Sequence, residues 1–160
     1  MIRKAEKRDI NFITNIYNQA ISAEICTCDL ENKDINDRMI WYEKHNEKEP
    51  IFVYEHENTI LGYSYITSYR EGRSAVEAVG EVSFYVDYSH HKKGIGSSLL
   101  EFTIKSAVKL GYTHLLAIVI ECNKNSIFLL QKFGFAEWGN FPDIVKINNC
   151  HFSHLYYGID

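Results

Sequence analysis

Segment 86–97 combines residue types that suit the binding of a phosphate group. A run of strand-forming residues ends here, a polar loop follows, and Gly94 and Gly96 open a run with helical spacing. Glycines let the backbone turn tightly and bring its N–H groups against a ligand, and the first N–H groups of a helix lack partners within the helix. Lys92 and Lys93 add positive charge. The spacing predicts an anion-binding turn, with an ordinary glycine-rich turn as the alternative.

Two well-known phosphate-binding motifs do not match this turn. The dinucleotide-binding pattern G-x-G-x-x-G needs a third glycine where the chain has Leu99. The P-loop needs Gly-Lys followed by Ser or Thr, and the turn contains no such tripeptide. The turn therefore belongs to neither class.

The composition bounds the kind of protein that carries this turn. The chain has 160 residues, of which 46% are hydrophobic and 24% charged, as is typical of one soluble globular domain. A formal net charge of −4 argues against a nucleic-acid-binding protein, which would carry a basic stripe. The longest apolar run, 115–120, is too short to span a membrane, and the charged N-terminal segment does not resemble a signal peptide. We expect a single cytoplasmic domain over residues 1–160, without a nucleic-acid or membrane partner.

The four cysteines and seven histidines do not form a metal-binding pattern. Cys26 and Cys28 are spaced C-x-C, whereas redox and zinc sites use C-x-x-C. His151 and His154 are spaced H-x-x-H beside Cys150, but zinc ligands usually come as two separated pairs. We expect free thiols and no metal.

Hydrophobic periodicity predicts a mixed α/β domain around the turn. Helical spacing of apolar residues predicts helices after Asp9, over 34–45, from Ile95 to Leu110 and over 125–133. Alternating or continuous apolar runs predict strands over 2–5, 52–54, 60–66, 80–86 and 115–120 and in the C-terminal stretch. The resulting order is β-α-α-β-β-β-α-β-α-β-β, and the apolar run 115–120 favours parallel pairing.

Two sequence blocks resemble motifs of a known superfamily. Its acetyl-CoA motif is a strand, [QR]-x-x-G-x-[GA] and a helix, and segment 91–96 matches it except that His91 replaces Gln or Arg. Asn123, Ser126 and the pair 134–135 match a second block at the expected distance. On these blocks the chain is identified as a member of the GCN5-related N-acetyltransferase (GNAT) superfamily, which implies an α/β fold with a mixed central sheet flanked by about four helices.

Within that superfamily the chain resembles the phosphinothricin acetyltransferase group, whose members acetylate the primary amine of small amino-acid-like molecules. The shared short motifs are Ile2-Arg3-x-Ala5 with Asp9, Ile16-Tyr17-Asn18, Trp41, Gly62-Tyr63-x-Tyr65 and Glu81-x-Ser83-x-Tyr85-Val86. The resemblance implies that the chain uses acetyl-CoA and pairs as a homodimer. The C-terminal aromatic residues Phe152, Tyr156 and Tyr157 suit either an interface or the core.

The resemblance also assigns residues to the co-substrate. It implies that the turn binds the pyrophosphate, that the preceding strand pairs with the pantetheine arm as an added strand would, and that the following helix start contacts the arm. A backbone N–H of that strand would also polarise the thioester carbonyl. The implied residues are Lys92, Lys93, Gly94, Ile95, Gly96 and Ser97; Phe84, Tyr85 and Val86; and Asn123 and Ser126. For Asn123 a simple N-cap is the alternative role.

Acetyl transfer also requires a base, because an amine with a lysine-like pKa of about 10.4 is protonated at neutral pH. The resemblance places Glu81 in the general-base position, where burial or a bridging water would adjust its pKa; a solvated glutamate is the alternative. Arg73, with Arg70 as a shifted second candidate, falls where the group uses arginines for the substrate carboxylate; solvated loop arginines are the alternative. Tyr63 is the third predicted substrate contact.

At several positions that the resemblance assigns to acceptor binding or to catalysis, the residues differ from those of the group. Val76 and Ala78 stand where close relatives carry an aromatic pair, and segment 149–153 replaces a G-x-W-x-D pattern. Leu130 stands where many relatives have a His or Tyr that acts as an acid. The co-substrate sulfur, whose thiol has a pKa of about 8.5, can leave as a thiolate without a proton from such an acid. We expect an acceptor pocket that differs from that of the herbicide-acetylating members.

The sequence leaves three functions open. The first is direct acetyl transfer from acetyl-CoA to a small primary amine of the phosphinothricin or methionine sulfoximine type. The second is acetylation of proteins or peptides, which needs an open groove. The third is a non-catalytic acyl-CoA-binding module, which binds without turnover.

Overall fold

The computed structural model describes all residues from 1 to 160. Its helices and strands follow the predicted order, with boundaries shifted by a few residues. The elements are β1 (Ile2–Lys4), α1 (Ile10–Ser22), α2 (Ile35–Lys44), β2 (Ile51–His56), β3 (Thr59–Ser68), β4 (Val79–Val86), α3 (Ile95–Lys109), β5 (His114–Ile120), α4 (Lys124–Lys132), β6 (Ala136–Ile147) and β7 (Cys150–Ile159). The predicted α/β fold class is confirmed.

All seven strands form one sheet, in the order β1-β2-β3-β4-β5-β7-β6. Neighbouring strands are antiparallel except for β4 and β5, which are parallel. Glu57 and Asn58 join β2 to β3 with positive φ values of 48° and 61°, as the tight turn of a hairpin requires. β6 lies at an edge of the sheet and tolerates Pro142 beside a break in its register with β7.

Two hydrophobic clusters cover the two faces of the sheet. On one face, α1 buries Ile13 and Ile16 against Val53 of β2, because apolar residues at helical spacing form one stripe. On the other face, α3 and α4 bury Leu100 and Leu130 with residues of β4, β5 and β7. None of the helices has the length and apolar composition that crossing a membrane requires.

The parallel pairing predicted for β5 is present, but it is short. β4 and β5 pair only from Val79–His114 to Glu81–Leu116, whereas β5 pairs with β7 along its whole length from Leu115 to Ile120. Beyond Glu81 the two parallel strands therefore diverge, although β4 continues to pair with β3 as far as Val86. This fork in the sheet is the main structural feature of the candidate site.

Candidate active site

Beyond the fork, the edge of β4 that faces β5 has no strand opposite it. The Asp87 N–H donates to the Leu61 carbonyl of β3. Because backbone polar groups alternate in direction along a strand, the N–H and C=O groups of the odd-numbered residues of β4 point to β3, and those of the even-numbered residues point to the gap. The backbone of Phe84 therefore faces the gap, and that of Tyr85 faces β3. An unpaired strand edge can accept an extended ligand as an additional strand.

A cleft of about 450 Å³ occupies the gap. Its walls come from β4, from β5, from the turn between β4 and α3 and from one face of α4. Of the sequence-predicted co-substrate residues, those that line it are Phe84, Tyr85, Val86, Lys92, Gly94, Ile95, Gly96, Ser97, Asn123 and Ser126. Lys93 is exposed and does not line it.

The start of α3 leaves backbone N–H groups free at one end of this cleft. Gly94, the residue before the helix, has a φ of 82° and provides no side-chain cap, and the first turn contains no acidic residue. The N–H groups of Ile95, Gly96 and Ser97 consequently have no partner within the helix. Lys92 also has a positive φ, of 62°. Free donors, a helix dipole and a nearby lysine form a site that suits a diphosphate.

Hydrogen bonds from another helix fix the turn before α3. The Gln19 side chain of α1 donates to Asp87 Oδ2 at 3.0 Å and accepts from the Tyr88 N–H at 2.9 Å. Burial would raise the pKa of the Asp87 carboxyl, but hydrogen bonds from Ser89, Gln19 and His90 outweigh burial and lower it to about 2. The turn is thus held by an ionised carboxylate at its start.

His91, the departure from the superfamily motif, contributes to the same turn. Its Nε2 lies 2.9 Å from the Val86 carbonyl oxygen and donates to it, and its ring stacks on Tyr88 with centroids 4.3 Å apart. The histidine therefore satisfies the last carbonyl of β4, and the backbone N–H groups of α3 stay free.

The start of α4 differs, because Asn123 caps it. Asn123 is buried, and its Oδ1 accepts a hydrogen bond from the Ser126 N–H at 3.2 Å, so the predicted N-cap is present. Its amide nitrogen donates to no protein group and stays available to a ligand. Leu130, one turn further on, is 1% exposed and packs in the core, so this position of α4 offers no acid for a leaving group.

Glu81 lies at the fork, where the pairing of β4 and β5 ends. Its side chain lies on the same face of the sheet as α1 and α2. It is next to Thr67, its partner on β3, and close to Tyr65. Burial raises the pKa of the Glu81 carboxyl above its ordinary value of 4.5. Glu81 itself does not line the cleft, although the next two residues, Val82 and Ser83, do. A half-buried carboxyl beside the closed end of a cleft, with a raised pKa, is suited to accept a proton at neutral pH.

The three predicted substrate contacts lie outside the cleft. Arg70 and Arg73 are exposed in the β3–β4 connection, where Arg73 precedes a single turn of 3₁₀ helix and Arg70 stacks near the Tyr69 ring. Both guanidinium groups lack a carboxylate partner, whereas those of Arg3 and Arg8 have one.

Tyr63 is fully buried beneath α2, with its hydroxyl 3.4 Å from the Arg38 guanidinium. The alternation of β3 turns its ring into an aromatic cluster rather than toward solvent. In this position the hydroxyl has a protein partner and no path to an acceptor, so the structure places Tyr63 in the core and does not group it with the cleft residues.

The cleft residues that the sequence patterns did not assign include Ile25, Cys26, Tyr88 and Phe128. Cys26 Sγ lies 3.2 Å from the Tyr88 hydroxyl, so the α1–α2 connection touches the β4–α3 turn. Sixty-two positions separate these two residues, and neither has a local motif that signals the contact. The cysteines are free thiols, and no cluster of three or more His, Cys, Asp or Glu residues forms a metal site.

Comparison with known proteins places the chain in a family. Residues 12–135 match the Acetyltransferase (GNAT) family, and the chain belongs to that family of acetyltransferases. The family resemblance expected from the sequence is therefore confirmed.

Individual relatives match most of the chain. YwnH of Bacillus subtilis, named provisionally as a phosphinothricin acetyltransferase, is 40% identical over 149 residues, which cover 92% of this chain and 90% of that protein. The L-methionine sulfoximine/L-methionine sulfone acetyltransferase of Salmonella typhimurium is 31% identical over 144 residues, which cover 89% of this chain and 84% of that protein. The chain thus resembles the phosphinothricin acetyltransferase group.

Solved structures of acetyltransferases have the same fold as this chain. An N-acetyltransferase from Staphylococcus aureus Mu50 superposes with a TM-score of 0.95 at 36% identity, covering 100% of this chain and 97% of that one. The protein yncA from Salmonella typhimurium, named provisionally as an acetyltransferase and solved with its cofactor acetyl-CoA, superposes with a TM-score of 0.94 at 27% identity. The superposition covers 100% of this chain and 92% of that one.

Proposed function

We propose that this acetyltransferase moves an acetyl group from acetyl-CoA to the primary amine of a small, amino-acid-like molecule. The observation that carries the proposal is the fork between β4 and β5. There, the free edge of β4 and the uncapped start of α3 border one cleft, and Glu81 directly precedes the cleft residues Val82 and Ser83.

The residues of the cleft fit acetyl-CoA, which supplies the acetyl group as a thioester. The free N–H groups of Ile95, Gly96 and Ser97, with Lys92, would bind the diphosphate. The backbone of Phe84 would pair with the amides of the pantetheine arm, and the free amide nitrogen of Asn123 would donate to the same arm. These roles rest on the geometry of the cleft and on the family resemblance.

Glu81 would act as the general base. An acceptor amine with a pKa of about 10.4 must lose a proton before it attacks. The burial that raises the pKa of Glu81 brings the pKa of the base closer to that of the amine, and the smaller difference improves proton transfer. Glu81 takes the first proton from the ammonium group and releases it to solvent. The neutral nitrogen then forms a bond to the acetyl carbon, its second proton passes to Glu81, and the carbon–sulfur bond breaks. Because Leu130 offers no proton, the sulfur would leave as thiolate, which its pKa of about 8.5 permits.

The acceptor class is supported by the named relatives and by the unpaired arginines. Arg70 and Arg73 lack carboxylate partners, so either can bind the carboxylate of an amino-acid-like acceptor with two parallel hydrogen bonds. Val76 and Ala78, also in the β3–β4 connection, replace an aromatic pair, which supports an acceptor other than the herbicide phosphinothricin.

The homodimer also stays a proposal that rests on the group resemblance. Tyr157 is buried in the core and cannot form an interface, and Phe152 is partly buried against another cluster. Phe141 and Trp138 of β6 are half-exposed and give a dimer a more suitable apolar surface.

A thiol-release assay over a panel of amines tests the proposed function. The panel pairs L-methionine sulfoximine, methionine sulfone and phosphinothricin with carboxamide versions that lack the carboxylate, and adds a peptide with a free N-terminus. We expect turnover of at least one free amino-acid-like compound and weaker turnover of its carboxamide. Preference for the peptide would instead support a protein acetyltransferase, and acetyl-CoA binding without any turnover would support a binding module.

A further inference from the structure

One face of α4 lies at the mouth of the cleft. Asn125, Phe128 and Lys132 are spaced three and four residues apart, so they share one side of the helix, and all three line the cleft. Phe128 is 71% exposed, whereas Leu130 on the opposite side is 1% exposed. The helix therefore presents a phenyl ring and a lysine to the cleft rather than to the core.

Folding alone does not explain the position of Phe128. A buried phenylalanine side chain stabilises a protein through the apolar area that it removes from water, and a ring that is mostly exposed contributes little of this. At the mouth of the cleft the exposed ring instead offers a flat aromatic face on which a planar ligand group can stack.

This face of α4 is continuous with the start of α3. A Cβ atom at Gly96 would lie 3.3 Å from the Leu129 side chain, so the first turn of α3 packs directly against α4 beside Phe128. A ligand whose diphosphate is bound by the free N–H groups of α3 therefore extends past the ring as it leaves the cleft.

The charges at the cleft mouth are complementary to a further phosphate. The lysines in ion pairs are Lys4, Lys7, Lys33 and Lys105. Lys92 in the turn before α3 and Lys132 at the end of α4 both line the cleft, have no carboxylate partner and remain available to an anion. The mouth thus combines one aromatic face with unpaired positive charge.

Building on the proposed co-substrate, we propose that Phe128 and Lys132 form its nucleotide subsite: the Phe128 ring stacks on the planar base, and Lys132 binds the ribose phosphate. The subsite requires a nucleoside whose base is heteroaromatic, whose ribose carries a phosphomonoester, and which is joined through a diphosphate to the rest of the ligand. Coenzyme A has this chemistry, and shorter thioesters lack it.

Calorimetry with CoA and 3′-dephospho-CoA separates the two roles. Loss of base stacking in Phe128→Ala is expected to weaken both ligands roughly tenfold, and Phe128→Tyr restores binding. Lys132→Ala is expected to weaken CoA but not dephospho-CoA, because the phosphate that it binds is absent from the second ligand. Val108, which is 68% exposed on α3 and outside the cleft, provides the control Val108→Ala, with unchanged affinities.

In steady-state assays, Phe128→Ala should raise the KM for acetyl-CoA and leave kcat unchanged, which a loss of folded protein would not do. The proposal is overturned if Phe128→Ala binds CoA as tightly as wild type, if it alters only the oligomeric state, or if Lys132→Ala weakens both ligands equally. If the wild-type protein itself binds no CoA, the proposed function fails as well.

Discussion

The two ends of the cleft are built from different chemistry. Beside the closed end, next to the cleft residue Val82, Glu81 is a half-buried carboxyl with a raised pKa and no ion-pair partner. At the open end, the free N–H groups after Gly94 and the unpaired Lys92 are close to solvent. A charged group is costly where water is excluded, so the closed end suits proton transfer. The open end has fixed donors and suits tight binding of an anion. The two ends should therefore respond to mutation in different kinetic constants.

The largest expected effect is at the closed end. Glu81→Gln keeps the shape of the side chain but cannot accept the proton, so kcat should fall by about 10²- to 10⁴-fold. Calorimetry should find the affinity for acetyl-CoA unchanged, because the diphosphate is bound at the other end. A variant with near wild-type kcat would show that Glu81 is not the base.

The next effect concerns the open end and uses two variants of Gly94. Asn and Asp both tolerate the left-handed backbone that this position requires, so Gly94→Asn and Gly94→Asp differ mainly in charge. The carboxylate repels a diphosphate and can cap the free N–H groups, so Asp should raise the Kd for acetyl-CoA roughly tenfold more than Asn.

High salt should shrink this difference because it screens the added charge. Equal Kd values for the two Gly94 variants at low salt would contradict an anion site at the start of α3.

A smaller effect distinguishes the starts of the two helices at the cleft. Asn123→Ala removes the side-chain cap of α4 and should lower the free energy of unfolding by about 1 kcal/mol. Asn125→Ala, in the same turn but with no capping hydrogen bond, should lower it by less. Urea unfolding measures both, and equal losses would show that the Asn123 cap does not stabilise the helix.

The smallest effect is on stability against pH. Because the folded-state pKa of Glu81 is raised, the folded protein binds that proton more tightly than the unfolded chain does. The ionised carboxyl therefore destabilises the fold as pH rises above the ordinary value of 4.5. Glu81→Gln should unfold at a higher temperature than wild type at about pH 7, and this advantage should disappear in acid. A lower melting temperature at neutral pH would contradict a strained carboxyl at the fork.

Local patterns predicted much of this architecture. The order of elements, the hairpin turn at Glu57–Asn58, the glycine turn before α3 and the cap at Asn123 all depend on neighbouring residues, whose preferences the sequence displays. The parallel pairing of 115–120 followed from its continuous apolar run. These features determine where the cleft lies along the chain.

The rest depends on contacts between distant residues. Alternation does not reveal that β4 and β5 separate after Glu81–Leu116, because the residues on both sides of the fork have strand propensity. Tyr63 was predicted to contact substrate from a short motif, but packing beneath α2 buries it. The bonds between Gln19 and the β4–α3 turn join positions 68 and 69 residues apart, and no local pattern records them.

Amide hydrogen exchange, followed residue by residue by NMR, tests the central claim most directly. The protein is measured with and without acetyl-CoA. Binding should slow exchange at Phe84, Gly96 and Ser97, whose N–H groups face the cleft, and leave Ser126 almost unchanged because Asn123 already caps it. If acetyl-CoA binds and protects Ser126 but not Gly96 and Ser97, the diphosphate is not at the start of α3.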